Sequence, residues 1–190
     1  MRRIIHDRRW IRFAALMTAV CIFATGNFAS SAAFGAAPPV DHSSLEARVL
    51  RLESEAQIRH LLVEYGRVLD TRDLVAYSQL FTKDGVWSGR LGSAQGPEAI
   101  LALMQKSFKD SPYDPKNVKS LHLDTNFLIH VQGDKATALS RWTVFNKGPD
   151  NKLFSGASGH YDDTLVRVDG RWRFQVRTVS TDIPTQPAPK

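Results

Sequence analysis

The clearest secondary-structure signal in the chain is LHLDTNFLIHVQGDKATALSRWTVFNK, residues 121–147. Apolar and polar side chains alternate along 119–131 and again along 135–147, which is the period of a half-buried β-strand. Gln132-Gly133-Asp134 lies between the two segments and is a typical hairpin connection. The stretch therefore predicts two long antiparallel strands joined by a tight turn.

Two further β-type segments follow this hairpin. They cover 153–168 and 171–182, and Asp169-Gly170 between them is a second hairpin signal. The second half of the chain is therefore predicted to be a meander of four long strands.

The sequence before the hairpin has helical spacing instead. Apolar residues recur every three or four positions over 44–70, which predicts one long helix. Asp73 is placed to cap a short helix over 74–81, and a third helix is predicted over 97–109. A short strand is expected between them, over 85–92.

Helices followed by long strands are typical of an α+β fold. We predict a curved, mostly antiparallel sheet with three helices on one face. The domain is expected to span 45–183, with a linker over 38–44 and a disordered tail over 184–190.

The net charge of +6 is concentrated at the amino terminus. Five arginines and one aspartate in residues 1–37 account for +4 of it, so residues 38–190 carry only +2. A nucleic-acid-binding domain needs basic residues clustered on a folded face. The charge distribution therefore argues against a nucleic-acid partner.

Residues 1–37 have the layout of a secretory signal peptide. An Arg-rich start precedes the apolar run FAALMTAVCIFA at 13–24, and small residues follow. We predict cleavage near 33–37 and a secreted or periplasmic protein; an uncleaved membrane anchor is the alternative. Because the single cysteine, Cys21, lies in this leader, disulfides, thiolate zinc sites and a cysteine nucleophile are excluded from the mature chain.

The chain contains no common cofactor or metal motif. It has no G-x-S-x-G, no P-loop and no G-x-G-x-x-G sequence. His122 and His130 share one predicted strand, but at the rise of a β-strand they stand roughly 26 Å apart. Neither a cofactor nor a metal ion is predicted.

Asp70 and His122 are the candidate catalytic residues. Asp70 ends the first predicted helix, where it either closes the turn before the next helix or belongs to a site. Strict alternation puts His122 on a polar strand face with Asp124 and Asn126. That face is either exposed to solvent or lines a polar cavity, and the residues alone leave both alternatives open.

Four stretches within residues 55–183 resemble, in their order and spacing, the SnoaL-like branch of the nuclear-transport-factor-2-like superfamily. They are EYGRVLDTRDLVAYSQLFTKDGVW, GPEAI, LHLDTNFLIHVQGDKATA and GHYDDTLVRVDGRWRF. The resemblance implies a cone-shaped α+β fold that encloses a cavity. Within this branch, the chain is most similar to the group of scytalone dehydratase and hexachlorocyclohexane dehydrochlorinase.

The resemblance also implies catalytic residues. Asp70 in L-D-T-R-D and His122 in L-H-L-D-T-N match the acid and the histidine of these lyases. His122 would be the general base, and Asp70 would fix its tautomer through a hydrogen bond. Arg177 matches an arginine of the dehydrochlorinase site and would stabilise a departing anion or an oxyanion.

Further residues are expected to bind the substrate. Trp87 matches a tryptophan that lines the dehydrochlorinase site, and with Tyr65 and Phe81 it would form an apolar wall. Asn126 and Tyr161 would orient a carbonyl or hydroxyl group.

The implied function is that of an exported, cofactor-independent lyase or isomerase acting on a small hydrophobic molecule. The alternative is a non-catalytic module of the cell envelope that uses the same cavity for ligand binding or assembly. A small subunit of a ring-hydroxylating oxygenase shares the fold, but the secretion signal argues against it.

Because relatives commonly form dimers or trimers through the outer face of the sheet, we expect a homodimer or homotrimer. Trp142, Val144 and Phe154 are the predicted contacts on that face. Contact with a membrane is expected only through the leader, during export.

Overall fold

The computed structural model describes residues 44–110, 114–148 and 151–184. The predicted signal peptide, nearly all of the predicted linker, and residues 185–190 of the predicted tail lie outside these ranges. Within the described residues, no helix combines the length and the apolar character that a membrane crossing requires.

Three helices precede the long strands. They are α1 (Leu45–Asp70), α2 (Leu74–Ser78) and α3 (Pro97–Ser107). The Ser44 hydroxyl accepts a hydrogen bond from the backbone N–H of Ala47, and Asp73 caps α2 in the same way through Ala76. The long helix and the Asp73 cap are confirmed. The second helix ends earlier than predicted, because the first strand already begins at Phe81.

Six strands form one sheet in the order β2-β1-β6-β5-β4-β3. They are β1 (Phe81–Gly89), β2 (Gly92–Gln95), β3 (Ser120–Gln132), β4 (Lys135–Lys147), β5 (Leu153–Val168) and β6 (Arg171–Ile183). Strands β3 to β6 form the predicted antiparallel meander. β1 runs parallel to β6, so the sheet is mixed, while its other four strand pairs are antiparallel as predicted.

The region predicted as one short strand over 85–92 is instead a hairpin. β1 continues to Gly89, the chain turns at Arg90 and Leu91, and β2 returns antiparallel from Gly92. Gly92 has a φ of 118°, a conformation that glycine adopts without steric cost. The prediction of a single strand was therefore wrong because a second, shorter strand pairs back onto it.

A bulge interrupts the alternation of β3. Asn126 has a φ of 55°, and the register against β4 shifts between Thr125 and Leu128. His122 faces inward before the bulge, whereas Phe127 packs against the core after it. The prediction that His122 and Asn126 share one face was wrong, because one extra residue reverses which side chains face the helices.

The second half of α1 packs against the sheet and fixes where its end lies. Ile58, Leu62 and Val68 are fully buried on one helical face, and Tyr65 is 2% exposed. Because this face is anchored in the core, the last residue of α1 is held beside the start of β3.

Candidate active site

Asp70 and His122 are joined by a short hydrogen bond. Nδ1 of the His122 ring lies 2.6 Å from Oδ1 of Asp70. The backbone N–H of His122 also donates to the same carboxylate, at 2.9 Å and 3.2 Å from its two oxygens. A carboxylate only accepts hydrogen bonds, so in the neutral imidazole Nδ1 carries the proton and Nε2 has the lone pair. The arrangement holds the imidazole in the tautomer that a general base needs.

The end of α1 positions the carboxylate of this pair. The N–H of Asp73 donates to the carbonyl of Val68, and the N–H of Arg72 donates to that of Leu69. These two bonds are the Schellman pattern, with Arg72 in the left-handed conformation at φ 58°. A carboxylate in the last helical turn faces the negative end of the helix dipole. The hydrogen bonds from His122 offset this unfavourable placement of Asp70.

The His122 ring forms part of the wall of a cavity of about 360 Å³. The cavity lies between the inner face of the sheet, α1, α2 and α3. Its aromatic lining side chains are Tyr65, Tyr77, Trp87, Phe108, Trp142 and Tyr161. Its aliphatic and small lining side chains are Leu69, Leu91, Met104, Val144, Ala157 and Val179. The other polar lining residues are Arg90, Ser107, Asn146 and Thr181.

The cavity changes character from its interior to its mouth. Tyr65, Trp87 and Tyr161 are each at most 4% exposed, whereas Arg90 and Thr181 are exposed. A mostly apolar interior with a few polar groups is typical of a site for a small organic ligand.

One phenol and one indole of the cavity wall donate hydrogen bonds to the same tyrosine hydroxyl oxygen. The Tyr77 hydroxyl donates to the Tyr65 hydroxyl at 2.7 Å, and Nε1 of Trp87 donates to the same oxygen at 3.1 Å. Burial raises the pKa of Tyr65, although the nearby Arg177 cation works in the opposite direction. Tyr65 is therefore a neutral phenol at physiological pH.

Arg177 lies behind this aromatic wall rather than in the cavity. Its guanidinium is 0% exposed, and it donates to Asp163 at 2.8 Å and 3.0 Å. It also stacks 3.8 Å from the ring centre of Tyr65 and 3.9 Å from that of Tyr161. This geometry differs from the prediction that Arg177 contacts a departing anion or an oxyanion. The rings of Tyr65 and Tyr161 and the Asp163 carboxylate enclose its guanidinium.

The other predicted site residues are placed as follows. Tyr65, Trp87 and Tyr161 line the cavity with His122. Phe81 is 2% exposed and packs in the core against Phe174, so it does not reach the cavity. Asn126 is exposed at the bulge of β3 and does not line the cavity either.

The locations of Trp142 and Val144 differ from the predicted ones. Both were expected on the outer face of the sheet, but both line the cavity, and Trp142 is only 6% exposed. Alternation along β4 separates Trp142 from Arg141 correctly, but it does not say which set faces inward. The Nε1 group of Trp142 donates to the carbonyl of His160, which satisfies its polar atom within the protein.

Asp124 is a partly buried residue that the sequence did not single out as a site residue. It lies two residues from His122, and its Oδ1 is buried with no hydrogen-bond partner among the described residues. Desolvation raises the pKa of Asp124, while the Arg177 and His122 charges lower it by less. Gly66 in α1 leaves room for this carboxyl, because a Cβ there would lie 3.1 Å from Oδ2.

No group of three or more potential metal-ligating His, Cys, Asp or Glu side chains occurs in the part of the chain that the structure describes.

Comparison with known proteins identifies the family. The model of the SnoaL-like domain matches residues 50–178. The chain belongs to the SnoaL-like domain family. An uncharacterized protein of Mycobacterium tuberculosis is 31% identical over 150 residues, covering 75% of this chain and 92% of the relative.

Solved structures share the fold of this SnoaL-like chain. An NTF2-like protein with a cystatin-like fold from Novosphingobium aromaticivorans has a TM-score of 0.65 at 28% identity, covering 75% of this chain and 90% of that one. LinA has a TM-score of 0.64 at 22% identity, covering 76% of this chain and 96% of LinA. These likenesses establish the α+β NTF2-like architecture with a curved mixed sheet.

Proposed function

We propose that this SnoaL-like protein is a cofactor-independent lyase or isomerase that acts on a small hydrophobic molecule. The observation that carries the proposal is the 2.6 Å contact between His122 Nδ1 and Asp70 in the wall of an aromatic cavity. A ring nitrogen with a free lone pair and a carboxylate behind it form a general base that needs no metal or cofactor.

The dyad acts in two stages. Nε2 of His122 removes a proton from a carbon beside a carbonyl or a leaving group, and the ring becomes an imidazolium. Asp70 stabilises that charge through the Nδ1 hydrogen bond. A positioned base of this kind contributes a rate factor of about 10²–10⁴.

The size and lining of the cavity limit the substrate class. A volume of about 360 Å³ is near the lower end for small-molecule sites, and six aromatic side chains line it. A substrate of one or two fused rings, largely apolar, fits these dimensions.

A ligand screen by thermal shift, followed by turnover assays on the hits, tests the proposal. His122→Ala and Asp70→Asn should stay folded and lower turnover at least about a hundredfold. Two matched controls remove the same groups elsewhere. His130→Ala removes an exposed imidazole from the same strand, and Asp162→Asn removes an exposed carboxylate from β5. Unchanged turnover in both dyad variants would rule out the dyad mechanism, and hits that bind but are never turned over would leave only a binding or assembly module.

Export is part of the proposal. The Arg-rich start and the apolar run before residue 33 support a cleaved signal peptide. Fractionation of cells expressing the full chain, with amino-terminal sequencing of the product, should find a mature protein that begins near 33–37. A full-length protein in the cytoplasmic fraction would contradict this.

We also propose a homodimer or homotrimer. Exposed leucines on the two adjoining strands β3 and β4 support contact through this part of the sheet; they are Leu121, Leu123, Leu128 and Leu139, each at least 42% exposed. Light scattering after size-exclusion chromatography should give two or three chain masses at micromolar concentration. Leu128→Glu should reduce this to one, and a monomeric unaltered protein would contradict the proposal.

A further inference from the structure

The wall of the cavity carries a permanent positive charge and no carboxylate of its own. Among the described residues that line it, Arg90 is the only arginine or lysine, and none is an aspartate or a glutamate. Asp70 is hydrogen-bonded to His122 but does not itself belong to the lining. A ligand that enters the cavity therefore meets a cation that no acidic neighbour in the wall neutralises.

The Arg90 guanidinium is available to a ligand. Its side chain is exposed, and it makes no hydrogen bond, ion pair or ring contact with any residue in the part of the chain that the structure describes. Arg67, which is also exposed, pairs instead with Glu64 at 2.6 Å. A guanidinium presents its N–H donors as a fork that matches the two oxygens of a carboxylate. Arg90 therefore offers a complete anion-binding group at the mouth of the cavity.

The β1–β2 hairpin places Arg90 at this mouth. Gly89 pairs with Gly92, so Arg90 and Leu91 form a two-residue turn, and both of them line the cavity. A Cβ on Gly89 would lie 3.0 Å from Cβ of Val179 and 3.2 Å from its carbonyl oxygen. Because glycine has no side chain, the hairpin can lie this close to Val179, which belongs to the same cavity wall. Backbone packing therefore fixes the turn beside the cavity.

Leu91 adds an apolar side chain next to the cation. It is 43% exposed, although it is a large hydrophobic residue. A ring system that fills the cavity would cover Leu91 and exclude water from one side of Arg90. An ion pair that is partly buried is screened less than one in open solvent. The turn is therefore suited to a ligand that is apolar at one end and negatively charged at the other.

We propose that Arg90 is a specificity-determining residue, and that the substrate is a ring compound whose carboxylate binds Arg90 while its rings occupy the cavity. This inference rests on the proposed function and narrows its substrate class from a small hydrophobic molecule to an organic anion. The rings lie against the aromatic wall that contains His122. The carboxylate stays at the mouth, where it keeps contact with water and avoids the cost of burying a charge.

The pair indane-5-carboxylate and indane-5-carboxamide tests this charge preference, because the two molecules share their size and shape and differ in charge at neutral pH. Isothermal titration calorimetry should show that the unaltered protein binds the carboxylate about fivefold more tightly, the upper range for an exposed ion pair. In about 1 M sodium chloride, where the screening length is about 3 Å, the preference should shrink. Equal affinities at low salt, or no binding of either molecule at millimolar concentration, would overturn the proposal.

Arg90→Gln should bring the two affinities to within about twofold by weakening only the carboxylate. Arg90→Lys should keep part of the preference, since it keeps the charge but loses the fork. Arg171→Gln is the matched control, because it removes an exposed arginine at the start of β6 that does not line the cavity. It lowers the net charge equally and should leave the preference intact. The same loss in both glutamine variants would overturn the proposal, because net charge would then explain it.

Arg90→Glu gives a result that a purely structural role of Arg90 would not. It should reverse the preference, so that 5-(aminomethyl)indane, a cation at neutral pH, binds more tightly than the carboxylate. An equal loss of affinity for all three ligands would show that Arg90 supports the hairpin rather than the ligand, and it would overturn the proposal.

The His122 ring is the other group in the wall that can carry a positive charge and attract the carboxylate. A preference that survives Arg90→Gln but disappears in His122→Ala would place the carboxylate at the dyad and overturn the proposal.

Turnover separates this inference from the proposed function. Substrates that depend on His122 and Asp70 but show no preference for an anionic group would refute only the role of Arg90. A charge preference that depends on Arg90, without turnover of any carboxylate ligand that depends on His122, would refute only the base chemistry.

Discussion

Asp163→Asn is a demanding test of the buried architecture behind the cavity. Asp163 and Arg177 are both 0% exposed, and two hydrogen bonds join them. Burial opposes the charge on Arg177, but Asp163, Tyr65 and Tyr161 together outweigh it and raise the pKa of Arg177 above its ordinary value. Because a guanidinium is not deprotonated in proteins, the arginine stays charged when Asp163 loses its charge.

Asp163→Asn should lower the free energy of unfolding, because it leaves the Arg177 cation without a counter-charge. Breaking one partner of a buried pair costs about 3–5 kcal/mol. A domain has only about 5–15 kcal/mol of stability in total. At about 3 °C per kcal/mol for this size of domain, the midpoint of thermal unfolding should fall by roughly 10–15 °C.

The assay is urea unfolding followed by tryptophan fluorescence, with thermal unfolding as a second probe. The double variant Asp163→Leu with Arg177→Met is the control, because removing both charges should restore stability to within about 2 kcal/mol of the unaltered protein. A loss below about 1 kcal/mol in Asp163→Asn would show that Arg177 is solvated or paired elsewhere, and the geometry behind Tyr65 would be refuted.

Two other substitutions test the packing around the dyad. Asp124→Asn should raise the unfolding midpoint at pH 7, because burial raises the pKa of this carboxyl and its ionised form is therefore destabilising. The gain should shrink as the pH falls through the raised pKa of Asp124, and it should be lost below the ordinary carboxyl pKa, where Asp124 is neutral in both states; a gain independent of pH would contradict it. Gly159→Ala should cost about 3 kcal/mol or more in urea unfolding, because its Cβ would lie 1.9 Å from the Ser180 carbonyl and 2.8 Å from the Trp142 ring. Unchanged stability would show that β5 and β6 can separate there.

Local sequence patterns predicted the meander well. The bounds of β4 and β5 match the predicted 135–147 and 153–168, because alternation and turn residues are both local signals. The parallel pairing of β1 with β6 was missed, since Trp87 and Arg177 lie ninety positions apart and no local pattern encodes their partnership. The bulge at Asn126 was also missed, because a single residue with positive φ leaves no trace in the hydrophobic pattern.

The site was predicted only in part, because its contacts also join residues that lie far apart in the sequence. Asp70 and His122 could be paired only through the family resemblance, since 52 positions separate them. Arg177 was expected in the cavity, but its environment depends on the register that places Asp163 beside it on β5. The hydrogen bonds among Tyr65, Tyr77 and Trp87 join three elements, so the sequence alone does not show them.

The tautomer of His122 shows whether Asp70 and His122 form a general base. Nitrogen-15 NMR of protein labelled at histidine, with His122→Ala to assign its signals, reports which ring nitrogen carries the proton. The Asp70 contact predicts that Nδ1 is protonated and Nε2 is not, and that Asp70→Asn disturbs this state. A proton on Nε2, or a tautomer that does not respond to Asp70→Asn, would contradict the general-base dyad.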